Sequence, residues 1–350
     1  MGDAEVALPV GALATPQTLI ALEDSSQVAE ARRQATRMME TLCFGEHAQA
    51  SAALALTEAA TNILKHADRG QILLRALERG SAAGLEILAI DRGPGITSVE
   101  ATLAGGYSTA GSLGAGMSSF ARLATAWDVY SQPQKGTVLR LEFWASGTAP
   151  PRDNLEWGAV CLAMPGEAVC GDTWAIRRDG ESVLVMVVDG LGHGPDAAKA
   201  ARMAVDVLAR AGELAPGVLL DHIHRGIGST RGAAIGLTLL QPARSVATFA
   251  GVGNIAATIG ARGESNRHLV SRNGIVGHNM GTVREMTVAY SPGALLLAHS
   301  DGLGTRWDLA NHPGLLEHHP AIVAAVLWRD CNRGCDDVTV LAVRNDSGGL

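Results

Sequence analysis

Aromatic side chains are scarce in this chain: Phe, Trp and Tyr make up 4% of its 350 residues. A core has therefore to be built from Ala, Leu, Val and Ile, and an apolar content of 47% supplies them. The same content argues against disorder. Cysteine is sparse and odd in number: Cys43, Cys161, Cys170, Cys331 and Cys335. A disulfide framework is disfavoured on that count, and Cys331 and Cys335 have no second Cys/His pair at zinc-finger spacing. No apolar run reaches membrane-spanning length, and the basic-then-apolar pattern of a signal peptide is missing. The chain reads as cytoplasmic, with no membrane partner. A basic excess is missing as well. The net charge is −7; residues 1–145 hold 11 basic and 15 acidic side chains, and the remainder holds 17 and 20. No Lys/Arg stripe stands out, which argues against nucleic acid as the main ligand.

What the chain has in quantity is glycine, 42 residues, much of it beside acidic residues. Its length suits two domains. Helical spacing runs over 15–42 and again from about His47 to His66. Strand-like runs follow at 71–77 and 85–90, then a glycine-rich loop (93–116), a helical stretch at 117–126 and strands at 127–131 and 137–144. The segment 145–154, with Gly147, Pro150 and Pro151, reads as a linker. Beyond Trp157 the texture changes to strands punctuated by turns, at 158–163, 172–177, 182–188, 233–240, 245–250, 295–300 and 338–343. Helices there are few, at 195–211, 215–226 and near 319–329. The class is α+β.

In the first half, Glu58, Asn62 and His66 recur every four residues and share one helical face. A glutamate there can act as a base, and an asparagine amide oxygen can ligate Mg²⁺. By itself the trio is more often a solvated helix face. Asp91 follows a strand and begins Asp91-Arg-Gly93-Pro-Gly95; an aspartate there can accept from an adenine amino group, with Gly93 and Gly95 letting the backbone approach the base. The run from Gly106 through Gly111 and Gly114 to Gly116 precedes a helix, so its N–H groups can meet phosphates. It lacks the Gly-Lys-Ser/Thr of a P-loop and does not follow a first strand as a Rossmann fingerprint does. Lys135-Gly136-Thr137 precedes the last strand of this half.

In the second half, Asp189-Gly190 and Asp301-Gly302 each end an apolar strand, and Asp172 and Asp336-Asp337 adjoin two others. A single Asp-Gly is more often a β-turn. Four acidic strand ends in order can converge on hard cations, and two such cations activate water and clamp a phosphoryl group.

The phrases "GPGI", "GYSTAGSLGAG" and "KGT" resemble the GHKL ATPase superfamily, in its branch of bacterial anti-sigma and stressosome serine/threonine kinases of the RsbT type. That resemblance covers about residues 15–144. It implies Glu58 as catalytic base and Asn62 as Mg²⁺ ligand, with ATP contacts at Asp91, Gly93, Gly95, Gly111, Gly114, Gly116 and Thr137. It also implies a substrate serine or threonine on a STAS-domain partner. The phrases "CGD", "VVDGLGHG", "RGAA", "GVGN", "HSDGL" and "DDVTVL" resemble the metal-dependent PPM phosphatases, in the SpoIIE-like and RsbX-like branch, over about residues 157–345. That likeness implies two Mn²⁺ or Mg²⁺ ions. Asp189 would bridge them, the Gly190 carbonyl would join one, and Asp301 and Asp336 would complete the set with Asp172 nearby, directly or through water. Asp337 competes with Asp336 for the last place. His193 is read as a general acid, a helix cap or a solvent-exposed side chain. The expected architecture is a GHKL (Bergerat) α/β sandwich at 15–144, a linker at 145–156 and a PPM-type α-β-β-α sandwich at 157–345, with tails at 1–14 and 346–350. The expected function is that of a bifunctional regulator that dephosphorylates, and phosphorylates with ATP, a STAS-domain protein. The alternative is a phosphatase whose first domain senses nucleotide or docks a partner.

Overall fold

The structure, a computed structural model, describes residues 10–97, 113–151, 154–212 and 214–345. The chain forms two compact units that do not follow its order. One holds Thr15–Asp153 and His312–Arg329; the other holds Met1–Ala14, Asn154–Asn311 and Asp330–Leu350.

Strand β1 (Val10–Leu13) belongs to the second unit, and the first unit begins with β2 (Gln17–Leu22). The helical spacing read over 15–42 is therefore broken: its first six ordered residues are a strand, with Ile20 and Leu22 buried in alternation. Helix α1 (Ser25–Thr41) starts only where Asp24 can cap it. The Asp24 carboxylate accepts from Ser26 N at 2.7 Å, and the Gln27 side chain accepts from Asp24 N at 3.0 Å. This reciprocal capping box satisfies N–H groups that a longer helix would have to pair internally. Helix α2 (Glu46–His66) buries Ala52, Ala55, Leu56, Ala59, Ala60 and Ile63, a stripe at three- and four-residue spacing. Strands β3 (Gly70–Arg79) and β4 (Ala82–Asp91), helix α3 (Leu113–Leu123), and strands β5 (Ala126–Gln132) and β6 (Gly136–Trp144) follow. The strands form one antiparallel sheet in the order β2-β3-β4-β6-β5. Ile72, Leu74, Ile87, Leu139 and Leu141 face the helices in one core with Met39, Leu56 and Ala59.

Alternation sends Arg75, Glu86, Arg140 and Glu142 to the other face, and all four are buried. Arg75 and Glu86 are cross-strand partners. Glu86 accepts from Arg75 Nη2 at 2.6 Å and from Arg140 Nε at 2.7 Å; Arg140 also pairs with Glu142, which accepts from Trp144 Nε1 at 2.6 Å. Burial opposes the Glu86 charge, yet the two arginines hold its carboxyl below the ordinary value.

The second unit continues with β7 (Leu155–Leu162), β8 (Asp172–Asp179), β9 (Ser182–Gly190), α4 (Gly194–Arg210), α5 (Pro216–Gly226), β10 (Ala233–Gln241), β11 (Val246–Val252), β12 (Ala256–Gly260), β13 (Arg267–Val270), β14 (Met286–Ala289) and β15 (Leu295–His299). Helix α6 (Pro320–Cys331) interrupts it before β16 (Val338–Asn345). Two sheets result, ordered β1-β8-β9-β10-β11-β14 and β13-β12-β15-β16-β7. Trp174, Ile176, Val185 and Val187 meet Ala257, Ile259, Leu296 and Leu341 in the core between the sheets. The intervening Ala175, Leu184 and Met186 face outward onto Ala201, Leu208 and Leu220 of α4 and α5. Arg177 on this outer face donates through Nη1 to the carbonyls of Leu208 and Ala211, which closes the end of α4.

Helix α6 lies between the two acidic motifs of the last third of the sequence, but all its residues to Arg329 belong to the first unit. Asp128 on β5 anchors its start, accepting from His318 Nδ1 and His319 N, both at 2.8 Å. At its other end, Arg329 Nη1 donates to the Asp91 carbonyl at 3.3 Å. Ten successive residues of α6, Pro320 to Arg329, are buried.

Glu86→Ala leaves two buried arginines without their shared partner. It should cost about 3–5 kcal/mol of unfolding free energy, read by urea unfolding followed by tryptophan fluorescence. A loss below about 1 kcal/mol would show that the ion network is not a structural requirement.

Candidate active sites

Asp91 ends β4, and two backbone N–H groups converge on its Oδ1: Gly93 N at 2.8 Å and Thr137 N at 3.2 Å. Burial raises its carboxyl above the ordinary value in spite of both donors. Thr137 Oγ1 lies 2.9 Å from Ser131 Oγ, and Ser131 Oγ accepts from Ile96 N at 2.8 Å. Gly95 closes this turn at φ +71°, where an added Cβ would stand 2.3 Å from the Gln132 carbonyl. Only glycine fits. The expected contacts Asp91, Gly93, Gly95 and Thr137 are thus assembled by β4, β6 and the turn after β4.

Glu58, Asn62 and His66 share one face of α2 and are half-buried. The helix packs on β4 and on α3, and His66 is near enough to Asp91 to act on its charge. Gly114 and Gly116 fall in the first turn of α3; Gly111 lies outside the described residues. Asn62 offers an amide oxygen to a cation, and Asp91 offers a carboxylate to an amino group. These donors suit a Mg²⁺–nucleotide.

The second site is built on strand pairing. Asp172, the first residue of β8, is the Cα partner of Asp189 near the end of β9, so two carboxylates confront each other across one ladder. Asp172 is buried; its Oδ2 accepts from Ser300 Oγ at 2.6 Å and its Oδ1 is buried with no partner among the described residues. Burial, and then the charge of Asp189, push its carboxyl well above the ordinary range. Asp189 accepts at Oδ2 from Asn254 Nδ2 at 3.0 Å. Burial and repulsion from Asp301 push its carboxyl up to about 7. Gly190 is forced by packing: a Cβ there would stand 2.2 Å from the Ala197 carbonyl of α4.

Asp189, Asp301 and Asp336 line one open cleft with Asn254 and His193. Asp337 is engaged otherwise. Its Oδ1 accepts from Met164 N at 2.8 Å and its Oδ2 from Gly171 N at 2.9 Å, and it is buried. Among the described residues, no three His, Cys, Asp or Glu side chains stand at the spacing of a closed coordination shell. Three carboxylates at one cleft, with the buried Asp172 paired across the ladder to one of them, still fit hard divalent cations, whose charge would offset the mutual repulsion. His193 sits at the N-cap of α4 with no side-chain cap bond. Its Nδ1 lies 2.6 Å from Glu167 Oε1.

Two contributors escaped the sequence reading. Asn254, in the "GVGN" phrase, holds Asp189 from 65 positions away. Ser300, inside "HSDGL", bridges Asp172 and Thr339 N; its place between a strand end and Asp301 was the available signal.

The family model described as histidine kinase-like ATPase domain matches residues 21–143, and that of stage II sporulation protein E (SpoIIE) matches 179–346. The serine/threonine-protein kinase RsbT of Bacillus subtilis is 31% identical over 128 residues, covering 37% of this chain and 96% of that protein. The phosphoserine phosphatase RsbX of the same organism is 20% identical over 151 residues, covering 43% of this chain and 75% of that protein. A solved structure from work on the bacterial stressosome, a modular system adapted to control secondary messenger signalling, superposes with a TM-score of 0.50. It shares 28% identity and covers 55% of this chain and 100% of its own. An ATPase domain of histidine-kinase type is therefore joined here to a PP2C-type serine/threonine phosphatase fold, in a regulator of serine/threonine phosphorylation. The chain belongs to the RsbT-like branch of the histidine kinase-like ATPase family, fused to an RsbX/SpoIIE-like phosphatase domain.

Two outcomes are expected at the acidic site. A carboxyl raised from 3.8 to about 7 costs stability as it ionises: the cost is absent below 3.8, grows with pH and is complete above about 7. Asp189→Asn removes it. With EDTA present, the variant should melt roughly 2–6 °C above the native protein at pH 8, the two converging as pH falls toward 4; a lower melting point at pH 8 would contradict the burial argument. Asn254→Ala, which frees Asp189 to reorient, should weaken Mn²⁺ binding about 10- to 100-fold by calorimetry. An unchanged affinity would reduce that hydrogen bond to a surface contact.

Proposed function

We propose that this protein sets the phosphorylation state of a STAS-domain partner in a bacterial stress or sigma-factor partner-switching pathway, adding phosphate from ATP at one site and removing it at the other. It would work in the cytoplasm; among the described residues no helix is long and apolar enough to cross a membrane. The observation that carries the hydrolytic half is the pairing of Asp172 with Asp189, a buried carboxylate with one oxygen unpartnered among the described residues and a half-buried one opposite it. Asp189, the Gly190 carbonyl, Asp301 and Asp336 hold the cations in this reading, and Asp172 orients from behind, fixed by Ser300. Asp336 is preferred to Asp337 because both oxygens of Asp337 are engaged by backbone N–H groups. Bound divalent cations would supply a water nucleophile at neutral pH and neutralise phosphate oxygens.

In the kinase half, Asp91 receives the adenine amino group, the glycines at 93, 95, 111, 114 and 116 admit the nucleotide backbone, and Thr137 fixes Asp91. Asn62 offers its amide oxygen to Mg²⁺, and Glu58 accepts the proton of the attacking serine or threonine hydroxyl. Likeness to the RsbT kinase and the intact set Glu58, Asn62 and Asp91 support this half.

Incubation with a STAS-domain protein and Mg²⁺–ATP, followed by Mn²⁺, tests both halves by mass spectrometry of the substrate. Phosphate should appear and then be lost. Glu58→Ala should slow its appearance at least about 100-fold and leave its removal intact, whereas Asp189→Asn should do the reverse. If the native chain binds ATP without transferring phosphate, the first domain is a nucleotide sensor and the chain is a phosphatase alone.

A further inference from the structure

Cys161 and Cys170 are not joined in a disulfide, and their sulfurs meet beside Asp172 of the acidic site. Cys161 lies on β7, where it is the Cα partner of Thr339; its sulfur accepts from Thr339 Oγ1 at 3.2 Å and lies 3.8 Å from the Asp172 carbonyl. Cys170 lies in the irregular segment between β7 and β8, two residues before Asp172. The two sulfurs are 3.9 Å apart, and neither residue is fully buried.

We propose that Cys161 and Cys170 are a redox modification site, converted by hydroperoxides into a reversible disulfide that disables the acidic site. One thiol is oxidised at sulfur by hydrogen peroxide to a sulfenic acid, releasing one water. The second thiol attacks that sulfur, the S–S bond forms, the S–O bond breaks and a second water leaves. The thiols lose two electrons and two protons in all, and the peroxide takes them up. A disulfide measures about 2.05 Å, so the sulfurs must close by about 1.9 Å. Cys161 is held in a strand between neighbours. Cys170 pairs with no strand among the described residues, so it is the half of the pair that has to move.

The cost of that movement falls on two carboxylates beside the cation-holding set, Asp337 and Asp172. Met164 N and Gly171 N, near the two ends of the segment between the cysteines, donate to the two oxygens of one carboxylate, that of Asp337. Drawing Cys170 toward β7 drags Gly171, detaches it from Asp337 and turns Asp172 away from Asp189. A transient pair of this kind suits a reducing compartment, where stable disulfides are rare and redox-sensing ones persist. The effect on metal binding rests on the phosphatase reading; formation of the disulfide does not.

Trypsin leaves both cysteines, and no others, in one peptide, residues 153–177. After hydrogen peroxide treatment and its removal, that peptide should lose two hydrogens and regain them with dithiothreitol. Calorimetric Mn²⁺ affinity should fall at least tenfold in the oxidised protein and return on reduction. Cys170→Ser and Cys161→Ser should bind Mn²⁺ like the reduced native protein and show no response to peroxide. A peptide that gains oxygen without losing hydrogen, or keeps both thiols open to alkylation, overturns the site. A disulfide that leaves Mn²⁺ affinity unchanged overturns the switch. If the reduced native protein binds no Mn²⁺ at all, the phosphatase reading fails, and the switch with it, while the peptide mass still decides the disulfide.

Discussion

Two carboxylates placed opposite each other on neighbouring strands are the constraint around which the second unit is organised. Asp172 and Asp189 are register partners, so their proximity is fixed by the β8–β9 ladder rather than by side-chain choice. The surroundings make this tolerable in steps. Ser300 takes one oxygen of Asp172, Asn254 takes one of Asp189, and the backbone at Met164 and Gly171 neutralises Asp337. These donors come from three separate stretches of chain. What remains uncompensated, the carboxylates of Asp301 and Asp336 at an open cleft and one bare oxygen on Asp172, is negative charge that a divalent cation would offset.

The first unit places its polar groups by the opposite logic. Asp91 is one carboxylate braced by backbone N–H groups from two elements, so its position depends on the β4–β6 pairing and on a turn that admits no side chain at Gly95. On the far face of the same sheet, charges are buried but mutually satisfied through Glu86. The sheet thus carries a helix-covered face, a closed ionic face and, at the end of β4, one carboxylate held ready for a polar ligand. Arg329 of α6 reaches that same residue through its carbonyl.

Much of this was legible in the sequence because glycines beside aspartates mark strand ends. Asp189, Asp301 and Asp91 fall where strand-like runs stop, and Asp172 where one starts. The misread segment was 15–42: Leu19 and Leu22 suit a helical repeat as well as a strand, and only the Asp24–Gln27 pairing separates the two. The short strands β1 and β12 to β14 carry too few residues to show a period. Asn254 was silent for a different reason. A hydrogen bond across 65 positions leaves no trace in local spacing, whereas metal-type aspartates announce themselves by their neighbours.

The return of residues 312–329 to the first unit, together with the loan of β1 to the second, means that the chain passes between units at four points. Severed at the junction between 153 and 154, it would yield two fragments, neither of which corresponds to a unit. The first would lack the helix anchored by Asp128; the second would lack an edge strand and would carry a helix of ten successive buried residues with its anchor gone. A cut at that boundary would therefore separate the helix from the core that buries it, and β8 from its edge partner.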